Sequence, residues 1–498
     1  MKKPKIKKPI FRKLVFLLLI ICLAALSLRI YRLDYENFWT DEAETIYYDQ
    51  HGSIYEVAKT SFENAYVPLY DVILSRWMLL FGVSEFGARL FSAVIGITSV
   101  IVIYFLGTII FSSETGIISA LILSLSSFHV YYSQEARSYA LLFLLSLLSF
   151  YFLIKHEKFG KTRHLAYYSG FTFLMLVTHA FSIFAVIAQN IYFIAVNGKS
   201  QKKIKNWIVC QFFIAAAALP FYYYWYSYGL RYFYDTWIPK PGIRDLVKTF
   251  YIFSAGETNT SVSLVLGGVL SLIFGFLMLY SIYSVLKIMP RTKFWSAFLA
   301  MPNFQNLILL LAWLFVPVVL IFIFSIASNP IFSIRYFIYS SAPLYLLASF
   351  SLSKFSKIKK ILFLSAIILL MSFILFMDFT TINKEPWPGV AQYLKRNSNQ
   401  NSAVFVNTPT SIYALSFYLD KGCFQSKDIK GCLASKNIYG VRNSAGLPLK
   451  SINGKDVFLI LFNSRYVDKN NSLADYFTRR YEMLDKKEFD GIEIYHFG

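Results

Sequence analysis

The stretch FRKLVFLLLIICLAALSLRI, residues 11–30, opens with basic residues and continues as an apolar run long enough to cross a bilayer. Of the 498 residues, 56% are hydrophobic, above the roughly 45–50% typical of soluble domains. The pattern predicts a polytopic α-helical membrane protein with about eleven transmembrane helices. The candidate spans are 12–31, 86–111, 114–131, 136–154, 164–179, 181–197, 205–227, 262–287, 305–327, 335–353 and 360–378.

The formal net charge of +21 is of a size that nucleic-acid-binding proteins show, but its distribution argues against that class. The Lys and Arg residues cluster between the apolar runs, as expected of cytosolic loops. We therefore predict a multi-pass plasma-membrane protein with a cytoplasmic N-terminus and no nucleic-acid partner. The first run lacks a small-residue cleavage site and is typical of a signal anchor. The clusters lie at 2–13, 155–163, 199–205, 287–293 and 354–360.

The basic clusters also fix how many crossings separate residue 40 from residue 155. An odd number is required if every basic cluster is cytosolic, and the spans 86–111, 114–131 and 136–154 supply three. The extra apolar segment 66–82 is therefore predicted to be an interfacial or re-entrant helix. The same count of crossings predicts that the following segments lie on the outer face: the acid pair Asp41/Glu42, the 66–82 helix, Ser133–Arg137, His179, Arg335–Tyr336 and the C-terminal tail.

Residues 379–498 differ in composition from the membrane part, 1–378, whose outer-face loop 32–85 is predicted to carry interfacial helices. Polar residues dominate the tail, and it is long enough for a small extracytoplasmic α/β domain. Cys423 and Cys432 are predicted to form a disulfide if the compartment is oxidising; the alternative is two free thiols in a loop. Strands are predicted at 403–406, 457–461 and 492–495, and helices at 390–396 and 473–481.

Asp41 and Glu42 follow the first span in the stretch Phe38–Ala43. Two neighbouring carboxylates repel, so one holds its proton more tightly and can serve as a general base near neutral pH. The alternative is an ordinary helix start, in which Thr40 is the N-cap and the acids occupy the favoured first turn.

Two arginines on the predicted outer face are candidate anion clamps, because guanidinium groups match the geometry of phosphate oxygens. Arg137 follows Glu135 at the start of one span, and Arg335 precedes Tyr336 at the start of another. The alternatives are an ion pair with Glu135 for Arg137 and a snorkelling anchor for Arg335. A lone His179 at a span end is more often a hydrogen-bonded helix end than a ligand or base.

Four motifs together resemble the GT-C membrane glycosyltransferases of the family 39 type, which includes protein O-mannosyltransferases and lipid A aminoarabinose transferases. Phe38–Ala43 is similar to the family's W-x-D-E-A outer loop, and Tyr132–Leu141 is close to its YSQEARMYAL. Pro68-Leu69-Tyr70 with Trp77, Arg89 and Gly96 resembles a third motif, and Arg335-Tyr336 before Pro343-Leu344 a fourth. The family often carries a His or Lys before the Pro-Leu-Tyr run; here Tyr66-Val67 stand there.

The resemblance implies a GT-C fold and inverting transfer of a sugar from a polyprenyl-phosphate donor to an extracytoplasmic protein, lipid or envelope glycan. It implies Asp41 as base with Glu42 supporting it, and Arg137, Arg335 and Tyr336 as phosphate ligands. Glu135, His179 and Tyr70 are candidates to contact substrate or a metal. No cofactor is required, and Glu135 is the residue that could hold a divalent metal. The alternatives are a non-catalytic polyprenyl-lipid-binding relative and a lipid or glycan transporter.

Overall fold

The computed structural model describes residues 8–233, 238–258, 260–288, 299, 301–382, 384–448, 452, 456–463, 468 and 470–498. Of the basic residues used to predict topology, those before Lys8 and both Arg291 and Lys293 lie outside these ranges. The chain divides into two compact units. The first comprises Met1–Tyr31, Ala58–Ile73 and Arg89–Thr381, and the second comprises Arg32–Val57, Leu74–Ala88 and Ile382–Gly498.

Helices dominate the described residues before 382. They are α1 (Lys8–Ile30), α2 (Thr40–Gln50), α3 (Ile54–Glu63), α4 (Leu69–Phe81), α5 (Glu85–Ile110), α6 (Ser113–Leu125), α7 (Ser127–Ser133), α8 (Tyr139–Phe159), α9 (Thr162–Leu176), α10 (Ile183–Asn197), α11 (Gln201–Phe233), α12 (Ile243–Ala255), α13 (Ser261–Leu286), α14 (Pro302–Ala327), α15 (Ala342–Lys354) and α16 (Lys357–Thr380). Short 3₁₀ helices lie at Ala180–Ser182 and Ile334–Ser341.

Eight helices in the described part of the chain are long and apolar enough to cross a membrane. A ninth crossing results if α6 and α7, which meet at a 63° bend, form one broken span. The predicted polytopic helical membrane fold is therefore confirmed, whereas the count of eleven is not. Three predicted spans account for the difference between eight and eleven: 114–131 is the bent pair α6 and α7, 164–179 is the 15-residue α9, and 335–353 is a 3₁₀ helix followed by the 13-residue α15. A straight crossing needs about 20.

The segment 66–82 forms α4, whose 13 residues are too few for a straight span. Leu69 at its start donates its N–H to the Val177 carbonyl at 3.1 Å, within the first unit. Val67 and Val177 are buried together against the Tyr222 and Trp225 side chains of α11. The start of α4 is therefore fixed in the first unit by both a hydrogen bond and apolar packing.

The second unit contains the small α/β domain expected from the tail. It holds a five-stranded sheet formed by β1 (Ser402–Asn407), β2 (Ile438–Gly440), β3 (Asp456–Phe462), β4 (Met483–Phe489) and β5 (Ile492–Phe497). The strand order is β2-β1-β3-β5-β4. β1 pairs with β2 and β3 in parallel, whereas β5 pairs with β3 and β4 in antiparallel. Its helices are α17 (Trp387–Asn397), α18 (Ser411–Leu419), α19 (Lys421–Phe424), α20 (Ile429–Ala434) and α21 (Ser472–Thr478), with a 3₁₀ turn at Ser444–Gly446.

The core of this sheet forms as the sequence patterns predict. All six residues of β1 are buried, as are Val457–Ile460 of β3, and the apolar runs at 403–406 and 457–460 form the centres of these strands. Phe405 of β1 packs on Phe477 of α21 with 5.5 Å between ring centroids. Each of the three predicted strands and both predicted helices has its counterpart in this unit.

Candidate active site

The two carboxylates of the acid pair lie in different surroundings in the second unit. Glu42 is fully buried, and its Oε2 lies 2.8 Å from the Lys384 Nζ, which is itself buried. Asp41, one residue earlier, is half-buried. Since a buried ion pair is lost only at a large cost, Glu42 serves first to hold the start of α2, and Asp41 is the more accessible acid.

The N-terminus of α2 is capped by a carboxylate from a distant part of the same unit. The Glu385 Oε2 accepts hydrogen bonds from the Thr40 N–H at 2.9 Å and the Thr40 Oγ1 at 2.7 Å. Trp39 occupies the N-cap position and makes no side-chain capping bond, so the sequence interpretation of Thr40 as the N-cap is wrong. Thr40 is instead the first helical residue, and Glu385 supplies the negative charge that a helix N-terminus favours.

Burial raises the pKa of the Glu385 carboxyl, and the hydrogen bonds from Thr40 and Trp387 oppose that rise. The negative charge of Asp41 also raises it, which places the two carboxyls within electrostatic reach of each other. The acidic group around the start of α2 thus consists of three carboxyls in unlike environments. Such a set can keep one acid protonated while another is ionised.

The segment before α2 is held by aromatic contacts. The Phe38 N–H donates to the Tyr418 hydroxyl at 2.7 Å, and that hydroxyl donates to the Glu85 Oε1 at 2.8 Å. The Phe38 ring meets Phe417 edge-on, with 5.1 Å between centroids. These contacts fix the backbone at the start of the Phe38–Ala43 motif.

A disulfide joins Cys423 and Cys432, whose Cα atoms are 5.4 Å apart. The segment it closes lies against α2 within the second unit: the Tyr47 hydroxyl donates to the Lys427 carbonyl at 3.0 Å and accepts from the Ile429 N–H at 3.3 Å. Tyr47 also packs on Tyr413 of α18 at 4.9 Å. The disulfide segment therefore supports the helix that carries the acid pair.

In the first unit, Arg137 lies in the connection between α7 and α8, rather than inside a span. It is 8% exposed, and its guanidinium carbon lies 4.7 Å from the centroid of the Tyr66 ring. This arrangement fits a cation–π contact, which holds the guanidinium against the aromatic ring. Glu135, two residues earlier in the same connection, is 1% exposed.

Arg335 belongs to the same aromatic cluster in this unit. Its guanidinium carbon lies 5.8 Å from the Tyr139 ring centroid and 5.7 Å from that of Tyr336, and these two rings stack at 6.5 Å. The positive charges of Arg137 and Arg335 both act on Tyr139 and on His179. The structure thus brings together Arg137, Arg335, Tyr336 and His179, four of the residues predicted from sequence.

His179 is built into this cluster as a helix end. Its Nδ1 accepts a hydrogen bond from the Phe181 N–H at 3.3 Å, which caps the 3₁₀ helix Ala180–Ser182. Its ring centroid lies 5.2 Å from that of Tyr336. Both observations match the structural interpretation of a lone histidine at this position.

The connection that carries Glu135 and Arg137 is fixed by reciprocal capping between α1 and the α6–α7 bend. The fully buried Arg29 of α1 donates to the Leu123 and Ser124 carbonyls at 3.2 Å each, at the C-terminus of α6. In return, Gln134 Nε2 donates to the Arg29 carbonyl at 3.2 Å and to the Tyr31 carbonyl at 2.8 Å, at the C-terminus of α1. Each side chain satisfies carbonyls that a helix end leaves without an intrahelical partner.

Gly96 allows α5 to approach Arg29 of α1 and Ser133 of α7 closely. A Cβ at position 96 would collide with the Ser133 hydroxyl and with Arg29 Nε. Any larger residue would therefore push α5 away from α7, directly before Gln134.

Tyr70, a predicted substrate or metal contact, is 1% exposed, and its hydroxyl lies 3.0 Å from the Ser92 Oγ. Within the described ranges, no group of three or more His, Cys, Asp or Glu side chains is arranged to hold a metal ion. Asp71, which follows Tyr70 on α4, has its pKa raised to about 6 by burial, against a hydrogen bond from Ser61 and the charge of Arg137.

Sequence reasoning missed Lys384, Glu385 and Arg29. The first two precede Pro386-Trp387-Pro388, where the proline pair indicated only a helix break. Their partners lie more than 340 positions away, and no local pattern reveals such a pairing. A signal was available for Arg29, because a charged residue inside an apolar span is costly and is usually paired.

The model of the dolichyl-phosphate-mannose-protein mannosyltransferase family matches residues 65–225 of the chain, a range that includes Glu135, Arg137 and His179. No curated protein sequence matches the chain.

Solved structures share the fold over almost the whole chain. ArnT from Cupriavidus metallidurans in the apo state has a TM-score of 0.57 at 12% identity, covering 96% of this chain and 97% of ArnT. The same protein bound to undecaprenyl phosphate has a TM-score of 0.56 at 12% identity, with the same coverage. The oligosaccharyltransferase AglB from Archaeoglobus fulgidus, in complex with an inhibitory peptide and a dolichol-phosphate, has a TM-score of 0.55 at 11% identity, covering 97% of this chain and 74% of AglB.

These findings confirm the predicted resemblance to the GT-C membrane glycosyltransferases and the predicted GT-C fold. Together with the apolar helices of the described residues, the shared fold is that of a multi-pass membrane protein.

Proposed function

We propose that this protein transfers a sugar from a polyprenyl-phosphate donor to an acceptor on the extracytoplasmic side of the membrane, with inversion at the anomeric carbon. The observation that carries the proposal is the aromatic cluster that holds two guanidinium groups, those of the buried Arg137 and the half-buried Arg335. Paired guanidiniums outside a basic cytosolic loop suit a phosphate that stays attached to lipid. The solved ArnT complex with undecaprenyl phosphate supports this ligand class.

The roles proposed for the phosphate-binding residues follow from the negative charge that develops on the leaving phosphate. In the transfer step, the bond between the anomeric carbon and the phosphate oxygen breaks, and the leaving phosphate gains negative charge. Arg137 and Arg335 are the proposed ligands that stabilise this charge, and the Tyr336 hydroxyl is the proposed additional donor. Arg137 is 8% exposed, and charge interactions are stronger at a buried group than in water.

Asp41 is the proposed general base. The acceptor hydroxyl oxygen forms a bond to the anomeric carbon, and its proton passes to the Asp41 carboxylate. Glu42 is proposed as a positioning residue, because its carboxylate is committed to Lys384. One displacement with the base on the acceptor side gives inversion.

A reconstituted transfer assay tests this function. The purified full-length protein is incubated with synthetic polyprenyl-phosphate sugars and with lipid, glycan and peptide acceptor fractions, and released polyprenyl phosphate is quantified. We expect donor cleavage that depends on acceptor and is abolished in Asp41→Asn, while the melting temperature stays within a few degrees of wild type.

Each alternative function gives a different result in the same assay. A non-catalytic lipid-binding protein would bind donor without releasing polyprenyl phosphate. A transporter would move intact donor between vesicle leaflets. Wild-type turnover by Asp41→Asn would refute the assignment of the base even if the transferase activity itself is found.

A further inference from the structure

A polar cavity in the first unit shares no lining residue with the arginine cluster, and we infer that it binds the headgroup of an anionic phospholipid. The cavity has a volume of about 200 Å³ and lies where α8 ends and α11 begins. It is lined by the apolar Leu165, Phe193 and Trp207 and by the polar His156, Lys202 and Asn206, among others. Drug-sized ligands occupy pockets of roughly 300–1,000 Å³, so this volume suits a smaller group.

The apolar wall of the cavity is rigid. Trp207 is 2% exposed and stacks on Phe193 at 4.0 Å and on Tyr168 at 5.1 Å between ring centroids. Its Nε1 donates to the Asn190 Oδ1 at 2.8 Å. The cavity is therefore not filled by rotation of this side chain.

The polar wall of the cavity contains a hydrogen-bonded network around Glu157 and one further cation, Lys202. Among the described lining residues, Glu157 is the one carboxylate, and it accepts a hydrogen bond from Asn197 Nδ2 at 2.7 Å. Lys203 is directed to the same pair, 2.7 Å from Asn197 Oδ1 and 3.8 Å from Glu157 Oε2. This network neutralises Glu157 and leaves Lys202, the neighbouring lining residue, as the cation offered to the cavity.

The surrounding field favours an anion. Segments 155–164 and 199–205 carry eight Lys or Arg residues and one carboxylate. Basic pockets between membrane helices are a recurrent site for anionic lipid headgroups. The charge of the cavity thus complements a phosphodiester.

The outer faces of α10 and α11 beside the cavity distinguish a lipid from a soluble phosphate compound. Ile194 follows the lining residue Phe193 and is 56% exposed, and Ile208 follows Trp207 and is 61% exposed. Apolar side chains of spanning helices are exposed where acyl chains cover them. A phospholipid satisfies both features, because its headgroup occupies the polar cavity while its chains cover these isoleucines.

Native mass spectrometry of the full-length protein in mild detergent tests the site. The protein is titrated separately with dioleoyl phosphatidylglycerol, dioleoyl phosphatidylcholine and inorganic phosphate. We expect the anionic lipid to be retained preferentially, and Lys202→Glu to weaken its binding about tenfold, since it replaces a cation that lines the cavity by a carboxylate. Lys202→Ala should give a smaller loss in the same direction.

Lys205→Glu is the matched control, because Lys205 lies on the same turn of α11 but does not line the cavity. It should leave lipid retention within about twofold of wild type. Equal losses in the two charge-reversed variants would reduce the effect to general surface charge and overturn the site. Equal retention of the two lipids, or saturable binding of inorganic phosphate that competes with lipid, would overturn the assignment to an anionic phospholipid.

Discussion

The residue that most constrains the acid pair is Lys384, because it determines which of the two carboxylates is structural. We predict that Glu42→Gln destabilises the protein by about 3–5 kcal/mol, since a buried ammonium then lacks its carboxylate. Thermal unfolding of the purified protein in detergent measures the loss.

Two further variants make this test specific. Glu482→Gln changes an exposed glutamate of the same unit and should leave the melting temperature unchanged. Glu42→Gln combined with Lys384→Met removes both charges and should recover most of the lost stability. If the double variant melts as low as the single one, the ion pair is not the cause.

Arg137 should act on turnover rather than on stability. We predict that Arg137→Ala lowers kcat/KM for the donor, by an amount that corresponds to a loss of about 2–4 kcal/mol of transition-state stabilisation. Arg137→Lys should recover part of that loss, because it keeps the positive charge. Recovery should be incomplete, because lysine lacks the planar guanidinium that binds phosphate oxygens in pairs. Exposed Arg163 provides the control, and Arg163→Ala should behave as wild type. An unchanged donor profile in Arg137→Ala would remove Arg137 from the site.

Asp71 should give stability a measurable dependence on pH. Its pKa is raised from 3.8 to about 6 in the folded protein, so the folded state binds more protons than the unfolded state between these values. The resulting stability is fully present below pH 3.8 and is lost as pH rises through about 6. We predict that Asp71→Asn melts closer to wild type at pH 4 and increasingly above it by pH 7. Parallel melting curves at every pH would contradict the prediction.

The candidate site residues could be chosen from the sequence, whereas their structural partners could not. Asp41, Glu42, Arg137 and Arg335 are charged residues at the ends of apolar runs, where the lipid environment makes charge informative. Lys384 and Glu385 are ordinary charges in a polar tail, and only the folded chain brings them to α2.

At the scale of elements, the hydrogen bonds of Arg29 and Gln134, which join α1 to α6 and α7, should contribute more to stability than the position of any single span end. We predict that Gln134→Leu lowers the free energy of unfolding by about 1 kcal/mol, because it removes a part-buried and an exposed hydrogen bond to carbonyls at the C-terminus of α1. Differential scanning fluorimetry in detergent gives the change. Thr98→Val removes a local hydroxyl bond on the exposed face of α5 and should have little effect.

The elements that sequence reasoning missed share physical causes. The run 114–131 reads as one apolar span without Gly at its break or any Pro, yet Ser126 adopts an extended conformation and bends it. Strand β4 is charged and exposed along most of its length, as edge strands often are, so it shows no alternation of apolar residues. Pairing with β5, not local pattern, makes it a strand.

At the scale of the whole molecule, the predicted topology is testable. In a background with Cys22 and Cys210 replaced, a single cysteine at exposed Asn399 should react with a membrane-impermeant maleimide on intact cells. A cysteine at exposed Lys161 should react only after permeabilisation. Reaction of both on intact cells would refute the charge-based orientation.

The capping of α2 by Glu385 has a consequence for biosynthesis. Thr40 and its capping carboxylate are 345 positions apart, and at roughly 5–20 residues per second a ribosome needs roughly 20–70 s to cover that distance. During that interval neither the cap nor the Glu42–Lys384 contact can exist, so the nascent protein inserts its spans before the start of α2 is fixed. Premature termination before position 384 would therefore yield membrane-inserted chains that lack both contacts.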